Sequence, residues 1–509
     1  MALAQQSFQE LDIGMNESFF HVKRLTEGFD ARGKANCALG HQIARESGNP
    51  DGIYVEWNWD GKCLSARNDR YGMFPVFYYS RDGEFAISSS IDQLLNAGAS
   101  PELDETALSV FFRLGFFIGE DTPFRHIRAL PPAATLNWDG KLRLERATRA
   151  CGIPSRGESR TSALDTYNEL FRCSMTRRAP SNTNFAVPLS GGRDSRHILF
   201  ELLRQGHKPG RCVTALHFPP RGNEDARIAT MLTQKFGLKH DIIPQSGSFY
   251  KAETAKNPLT SYCTDEHAWF LETISNIRAR DRVVYDGIAG DVLSQSVFLT
   301  EERLRLFQTA SSNEIAKQLL GKAERKLSNL LTPQLYRSTS LELAISHLEK
   351  EVKTHLDRPN PVGSFFFWNR TRREIALVPY GLLGDVPTVY APFLDHDLYD
   401  FLTGLPVEML IDHTFHTDTI SRAYPEYAAL PYEDKGKRAD SPDFTRLHAE
   451  FGKQVAKRLL LRPSSRLINK RFALPRAMRT LFSSAFSAST HWYSPLALYL
   501  DQLDIASRR

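Results

Sequence analysis

Residues 184–206, with the sequence NFAVPLSGGRDSRHILFELLRQG, constrain the fold of this chain more than any other segment. The apolar run at 185–189 predicts a strand, and the apolar spacing after it predicts a helix that ends at Gly206. Two glycines between them let the backbone approach an anion, and the first-turn N–H groups and helix dipole favour negative charge there. Asp194 would repel phosphate alone, so its position indicates a Mg²⁺ ion between the two.

An ordinary Gly-Gly turn capped by Ser195 is the alternative interpretation of this segment. The segment is not a Walker A loop, because the pattern G-x-x-x-x-G-K-[ST] is absent from it.

Length and composition set only broad limits. A chain of 509 residues predicts two or three domains, and a net charge of +5 favours no particular partner. The six cysteines form no C-x-x-C pair, so we expect no zinc site and a cytoplasmic location. No signal peptide and no apolar run of 18 residues is found, which predicts that the chain has no contact with a membrane.

The N-terminal region, residues 1–150, is predicted to be rich in β-strands. Asp-Gly pairs at 60–61, 82–83 and 139–140 predict hairpins in which both turn residues have positive φ. Helical patterns at 90–97 and 104–114 interrupt the strands, and residues 151–162 have the composition of a linker.

Residues 163–450 alternate between helical patterns and short apolar runs at 185–189, 211–218, 241–243 and 283–285. This alternation predicts an α/β fold with a doubly wound parallel sheet, in which ligands bind at the carboxyl ends of the strands. From about residue 300 the chain is predicted to be mostly helical, and residues 451–509 form a basic helical extension.

Several short motifs occur in the order found in asparagine synthetases. SGGRDS at 190–195 resembles the PP-loop, S-G-G-x-D-S, of ATP pyrophosphatases, and YDGIAGD at 285–291 resembles the Gly-rich stretch that follows it in asparagine synthetases. The other matches are GNEDA at 222–226, PFLD at 392–395 and, in the glutaminase-like N-terminal part, DRYG at 69–72, YY at 78–79 and LPP at 130–132. The resemblance covers most of residues 50–440.

The resemblance implies a PP-loop synthetase domain and a degenerate glutaminase-like N-terminal domain. It implies that Mg-ATP activates a substrate carboxylate as an acyl adenylate, that pyrophosphate leaves, and that an amine displaces AMP. Asp194 and Asp291 would share one Mg²⁺. The implied nucleotide-binding residues are Leu189, Ser190, Gly191, Gly192, Asp194, Ser195, Leu216, Asp286 and Gly287.

Three residues depart from the asparagine synthetase pattern. Glutamine-hydrolysing members expose a cysteine directly after the initiator Met, whereas residue 2 here is Ala2 and the first cysteine is Cys37. Ile288 stands where asparagine synthetases have Glu, and Tyr390 where they have Arg. We therefore expect no glutaminase activity, and the chain is similar to family members without that cysteine, such as lasso-peptide cyclases and β-lactam synthetases, although it also lacks the Tyr that β-lactam synthetases have in place of Ile288.

The family also has a lysine downstream of PFLD that stabilises charge on the adenylate or the tetrahedral intermediate. Lys435 and Lys437 are the candidates, and a small gap in the comparison favours Lys437 as a catalytic residue; a solvated charged loop is the alternative. Arg193, also a catalytic candidate, could contact phosphate or face solvent.

Two other polar segments could contribute to a site. TDEH at 264–267 could present a carboxylate or a histidine to the substrate, although a helix N-cap followed by first-turn acids explains the segment better. Asp412, His413 and His416 could bind a metal ion, but their spacing is more typical of the start of a surface helix.

The favoured function is an ATP-dependent amide-bond ligase whose partners are a small-molecule or peptide carboxylate and an amine. A peptide or small-molecule cyclase, a tRNA-modifying PP-loop enzyme and a non-catalytic nucleotide-binding protein are the alternatives. The basic stripe at 453–479 could hold nucleic acid or an acidic peptide, but an exposed polar helix face explains it better, so nucleic-acid binding is unfavoured. That stripe consists of Lys453, Lys457, Arg458, Arg462, Arg466, Lys470, Arg471, Arg476 and Arg479.

Overall fold

A computed structural model describes residues 18–509 except 47, 155–156, 219–221, 246, 322, 435–441, 463–464 and 489–493. Its strands are β1 (Phe19–Arg24), β2 (Phe29–Gly33), β3 (Asn36–Ile43), β4 (Asp51–Trp59), β5 (Leu64–Asn68), β6 (Phe77–Arg81), β7 (Glu84–Ser88), β8 (Ile127–Ala129), β9 (Ala134–Trp138), β10 (Leu142–Arg146), β11 (Ala186–Pro188), β12 (Arg211–Ala215), β13 (His240–Ile243), β14 (Val283–Tyr285) and β15 (Thr388–Tyr390).

The α-helices are α1 (Ile91–Asn96), α2 (Glu105–Leu114), α3 (Arg160–Arg177), α4 (Asp194–Arg204), α5 (Glu224–Phe236), α6 (Phe249–Leu259), α7 (Leu271–Arg280), α8 (Gly290–Leu293), α9 (Glu301–Thr309), α10 (Ser312–Leu320), α11 (Glu324–Leu330), α12 (Pro333–Ser338), α13 (Leu341–Lys353), α14 (Pro361–Phe366), α15 (His396–Gly404), α16 (Phe415–Ala423), α17 (Pro442–Leu461), α18 (Lys470–Phe482), α19 (Ser484–Ala488) and α20 (Ser494–Ala506). In the described part of the chain, no helix is both long and apolar enough to span a membrane.

The N-terminal region contains two antiparallel sheets, as its many hairpin signals predict. Their strand orders are β2-β1-β7-β6-β8 and β10-β9-β5-β4-β3. The predicted Asp-Gly hairpins join β4 to β5, β6 to β7 and β9 to β10. Only Asp82 shares the positive φ of its glycine, so the prediction that both residues of every turn have positive φ is wrong for Asp60 and Asp139.

Side-chain caps fix the start of α2, one of the two predicted N-terminal helices, and the start of α3, where the predicted linker ends. Asp104 accepts a hydrogen bond from the Ala107 N–H at the start of α2, and Ser159 accepts one from Ser162 at the start of α3. Each cap satisfies an N–H group that a helix would otherwise leave without a partner.

The C-terminal part contains a parallel sheet of order β13-β12-β11-β14-β15. The prediction of a parallel sheet is therefore confirmed, and β11, β12, β13 and β14 lie within one or a few residues of the predicted runs. The fifth strand, β15, interrupts the region predicted to be mostly helical, and it pairs with β14 over only three residues.

The strand order reverses direction between β11 and β14. The chain leaves β11 through α4 towards β12 and β13 on one side, whereas it leaves β14 through α8 towards β15 on the other. In open α/β sheets, such a switch point opens a crevice at the carboxyl ends of its two strands, where ligands bind. The loops after β11 and β14 are the 190–193 and 286–289 segments.

The larger of two clusters of buried side chains connects the N-terminal sheets to the parallel sheet. Trp138 of β9, Val187 of β11 and Phe393 after β15 all belong to one cluster of buried side chains. The buried Arg178 adds an ionic link, because it contacts Asp51 of β4 and Asp395 after β15 at 3.0 and 2.8 Å.

Candidate nucleotide-binding site

The loop between β11 and α4 is held in shape by its own polar groups. The Ser190 N–H donates to Ser195 Oγ at 3.0 Å, and the Gly192 N–H donates to Ser190 Oγ at 3.1 Å. Asp225, in the first turn of α5, accepts a hydrogen bond of 2.8 Å from the Gly191 N–H. No side chain caps α4 at Arg193, so first-turn N–H groups of this helix lack an intramolecular cap.

Asp194 lies directly against the Gly-rich loop that follows β14. A Cβ atom added to Gly290 would come within 2.5 Å of Asp194 Oδ1, and one added to Gly287 within 2.8 Å of Asp194 Cβ. These contacts explain why both positions carry glycine. The structure therefore brings the two predicted motifs together at the switch point.

The electrostatics of this contact suit a bound cation. Asp194 Oδ1 is buried without a hydrogen-bond partner, and Asp286 Oδ1 accepts a hydrogen bond of 2.8 Å from the Ile288 N–H. Burial, and then the charge of Asp194, raise the pKa of Asp286 to about 6. Asp291 follows Gly290 in the first turn of α8. Carboxylate oxygens of this kind are the ligands that Mg²⁺ prefers, so the residues present fit that ion.

Two buried histidines stand behind Asp194. His416 Nδ1 lies 3.3 Å from Asp194 Oδ1, and its Nε2 lies 3.2 Å from His197 Nδ1. Burial, and then His416, lower the pKa of His197 well below its usual value, and Phe171 stacks on the ring at 3.8 Å. The predicted helix start is confirmed, because α16 begins at Phe415, but the predicted surface position is wrong for His416, which is fully buried. His416 is the second residue of the amphipathic helix α16, and the sequence gives no signal that it contacts Asp194.

A cleft of about 250 Å³ adjoins Leu189 and Ser190, two of the predicted nucleotide-binding residues. His217 and Trp269 line it with their rings 4.2 Å apart, which gives an aromatic surface of the kind on which a base can stack. Gln245 donates to the carbonyls of Leu216 and Trp269, and Leu216, a predicted nucleotide-binding residue, is not among the residues that line this cleft. Sequence reasoning missed both rings, of which His217 lies just after β12 and Trp269 just before α7.

The two predicted catalytic side chains have different outcomes. Arg193 donates to Thr417 Oγ1, and its guanidinium lies 4.7 Å from the centre of the Tyr432 ring. The Arg193 side chain therefore does not extend freely into solvent, and its contacts with Thr417 and Tyr432 already hold it in place. Lys437 and its alternative Lys435 lie outside the described residues.

Two of the three residues that depart from the asparagine synthetase pattern, Ile288 and Tyr390, lie in or beside the Gly-rich loop. Ile288 is buried, and Tyr390 on β15 accepts a backbone hydrogen bond of 2.8 Å from the Asp286 N–H. The Tyr390 ring packs edge-on against His41 of β3 at 5.0 Å. Ile288 has no group that could move a proton as Glu would.

The TDEH segment forms a turn and not a helix cap. Thr264 Oγ1 accepts from the Glu266 N–H and donates to Glu374, while α7 begins only at Leu271. The predicted cap is therefore wrong. Asp265, Glu266 and Glu374 approach one another closely enough to share a cation, but Arg370 already pairs with Glu266 and Glu374 at 3.2 Å.

The pKa of Asp286 predicts how stability depends on pH. A raised carboxyl pKa means that the folded state binds the proton more tightly, so stability falls as pH rises from 4 towards 7, by at most about 3 kcal/mol. Asp286→Asn should therefore raise the melting temperature by a few degrees at pH 8 and leave it unchanged at pH 4. Scanning fluorimetry of both proteins at both pH values checks this. Equal shifts at the two pH values would contradict the raised pKa of Asp286.

Residues 37–146 match the model of a glutamine amidotransferase domain. This match confirms the resemblance of the N-terminal region to a glutaminase domain. Among solved structures, the chain is similar to one described as the structure of the allosteric regulatory enzyme of purine biosynthesis, with 12% identity and a TM-score of 0.15. That comparison covers 45% of this chain and 55% of the other, so it spans little more than half of that protein's length. No curated protein matches the chain.

Proposed function

We propose that this protein is an ATP-dependent amide-bond ligase that acts through an acyl adenylate. One observation carries the proposal: the buried Asp194 carboxylate oxygen, which forms no hydrogen bond and has only His416 Nδ1 nearby at 3.3 Å, meets the Gly287–Gly290 turn at the switch point of a parallel sheet. A buried carboxylate oxygen without a hydrogen bond at a glycine-lined crevice is unfavourable alone and favourable with a cation that also binds phosphate.

In this proposal the chain's residues bind and orient Mg-ATP. The first turn of α4 would hold the pyrophosphate part, and the His217–Trp269 surface would hold the adenine. Asp194 and Asp291 would hold Mg²⁺, which neutralises charge on the departing pyrophosphate when bound. The substrate carboxylate attacks the α-phosphorus, and an amine then displaces AMP.

Glu433 affects access to this loop. Its backbone N–H donates to the Gly191 carbonyl at 3.0 Å, and a Cβ atom added to Gly192 would lie 3.9 Å from its Oε1. Because a carboxylate repels phosphate, this side chain has to turn away when the triphosphate binds.

The amine is proposed to belong to a larger substrate and not to be ammonia, as in a peptide or small-molecule cyclase. Ile288 and Tyr390 carry this preference, since neither supplies the ionisable group of an asparagine synthetase at its position. A tRNA-modifying enzyme is less well supported, because Arg458 and Arg466 of the basic stripe pair with Asp501 and Asp504. RNA that co-purifies with the protein and survives a salt wash would favour that alternative.

Exchange of labelled pyrophosphate into ATP tests the adenylation step. The protein is incubated with Mg-ATP, labelled pyrophosphate and pools of candidate carboxylates, with Asp194→Asn as the matched control. Exchange that depends on one carboxylate and is lost in the control supports the proposal. Mg-ATP binding with release of ADP and phosphate would contradict it.

No glutaminase activity is expected from the N-terminal region. Cys37 lies within β3 opposite Trp57, so it cannot pair a thiolate with a free α-amine, and burial raises the pKa of its thiol. Glutamine with Mg-ATP should therefore release no more glutamate than a heat-inactivated sample. Cys37→Ser is the control: glutamate release by the parent that this substitution abolishes would contradict the expectation.

A further inference from the structure

A second cleft, of about 430 Å³, lies between the N-terminal region and α13. Residues in the segments 118–121, 128–132 and 146–149, which include the ends of β8 and β10, form one wall, and α13 with Arg372 forms the other. It shares no lining residue with the cleft beside the 190–193 loop. Its volume falls in the range of small-molecule sites.

Each carboxylate that lines this second cleft is already neutralised by an arginine that also lines it. The three pairs are Arg146 with Glu120 at 2.8 Å, Arg128 with Asp121 at 3.1 Å, and Arg149 with Glu351 at 2.6 Å. Five permanent cations therefore face three carboxylates, and the two cations left over are Arg372 and Lys350.

Arg372 is a buried cation without a counter-ion. It is only 4% exposed, and its guanidinium donates to the carbonyls of Gly72, Gly119 and Leu130 at 3.2, 3.0 and 2.7 Å. No carboxylate of the described chain lies within salt-bridge distance. Burial, and then Arg373 and Arg149, lower the pKa of Arg372 to about 9. Since an unpaired buried charge is strongly unfavourable, an anion in the cleft would offset it.

We propose that this cleft binds a small oxyanion with two or more negative charges, either a polycarboxylate or a phosphorylated compound. Both groups match the planar fork of donors that a guanidinium presents, and Lys350 adds a mobile charge at the rim. The site is independent of the proposed ATP site, so failure of either leaves the other untouched.

Lys350→Glu gives the sharpest test, because Lys350 is exposed whereas Arg372 also ties three backbone segments together. Lys353→Glu is the matched control: it lies on the same helix, pairs with Glu349 at 2.8 Å and does not line the cleft. Citrate and inorganic phosphate are titrated by calorimetry into the parent and both variants, without Mg²⁺ and at constant ionic strength. Lys350→Glu should weaken binding at least about 10-fold and Lys353→Glu less than about 2-fold.

The two probes separate the possible ligand classes. Binding of citrate alone supports a carboxylate ligand, and binding of phosphate alone supports a phosphorylated one. If neither binds the parent up to about 10 mM, or if Lys350→Glu binds as tightly as the parent, the cleft is not an anion site.

Discussion

Asp194→Asn and Asp291→Asn should each lower ATP–pyrophosphate exchange by about 10²-fold or more, and the double variant should lose little more than either. Each removes one hard oxygen ligand from the proposed Mg²⁺ site, and ligands of one metal ion act as a unit. Asp194 Oδ1 forms no hydrogen bond and lies 3.3 Å from His416 Nδ1, and asparagine keeps the shape of the side chain, so Asp194→Asn should change the stability without ATP little. Calorimetry of Mg-ATP binding gives a second readout that needs no acyl substrate.

Asp412→Asn is the matched control for this pair. Asp412 is also a carboxylate near α16, but it lies at the surface, where it accepts hydrogen bonds from the Thr414 N–H and hydroxyl and pairs with Arg160 at 3.4 Å. It should bind Mg-ATP like the parent. Independent losses that multiply in the Asp194–Asp291 double variant would mean that the two side chains do not share an ion.

Strong local signals predicted most of the fold. The Asp-Gly turns and the alternation of apolar runs and helices are encoded within a few residues each, so the hairpins and four parallel strands could be recognised. The β15 strand could not, because three residues followed closely by Pro392 carry too little pattern. Its place is decided by pairing with β14, which is far away in sequence.

The site was predictable only where its residues are close in sequence. The loop at 190–195 and its glycines could be recognised, since backbone geometry dictates them. His416 and Trp269 could not, because each reaches the site from a distant helix or turn. The same applies to Arg372, whose three carbonyl partners all belong to the N-terminal region.

Asp395 of the PFLD motif is placed to hold the protein together. Asp395 is fully buried, caps α15 by accepting from the Asp397 and Leu398 N–H groups, and pairs with Arg177 and Arg178. Although burial opposes it, Arg178 keeps the pKa of Asp395 well below its usual range. The ion pair is therefore present at neutral pH and weakens only as pH falls far into the acid range.

Arg178→Met should accordingly destabilise the protein by about 3 kcal/mol, because it removes a fully buried cation that pairs with both Asp51 and Asp395 and leaves only the partly exposed Arg45 and Arg177 beside these carboxylates. Arg177→Met is the matched control: its side chain is 28% exposed, so its pair with Asp395 should contribute only about 1 kcal/mol. Urea unfolding at pH 7 compares the two. At pH 4 the loss caused by Arg178→Met should shrink, since the Asp51 and Asp395 carboxylates then take up protons. A cost below about 1 kcal/mol at pH 7 would mean that Arg178 does not hold the N-terminal sheet to the parallel sheet.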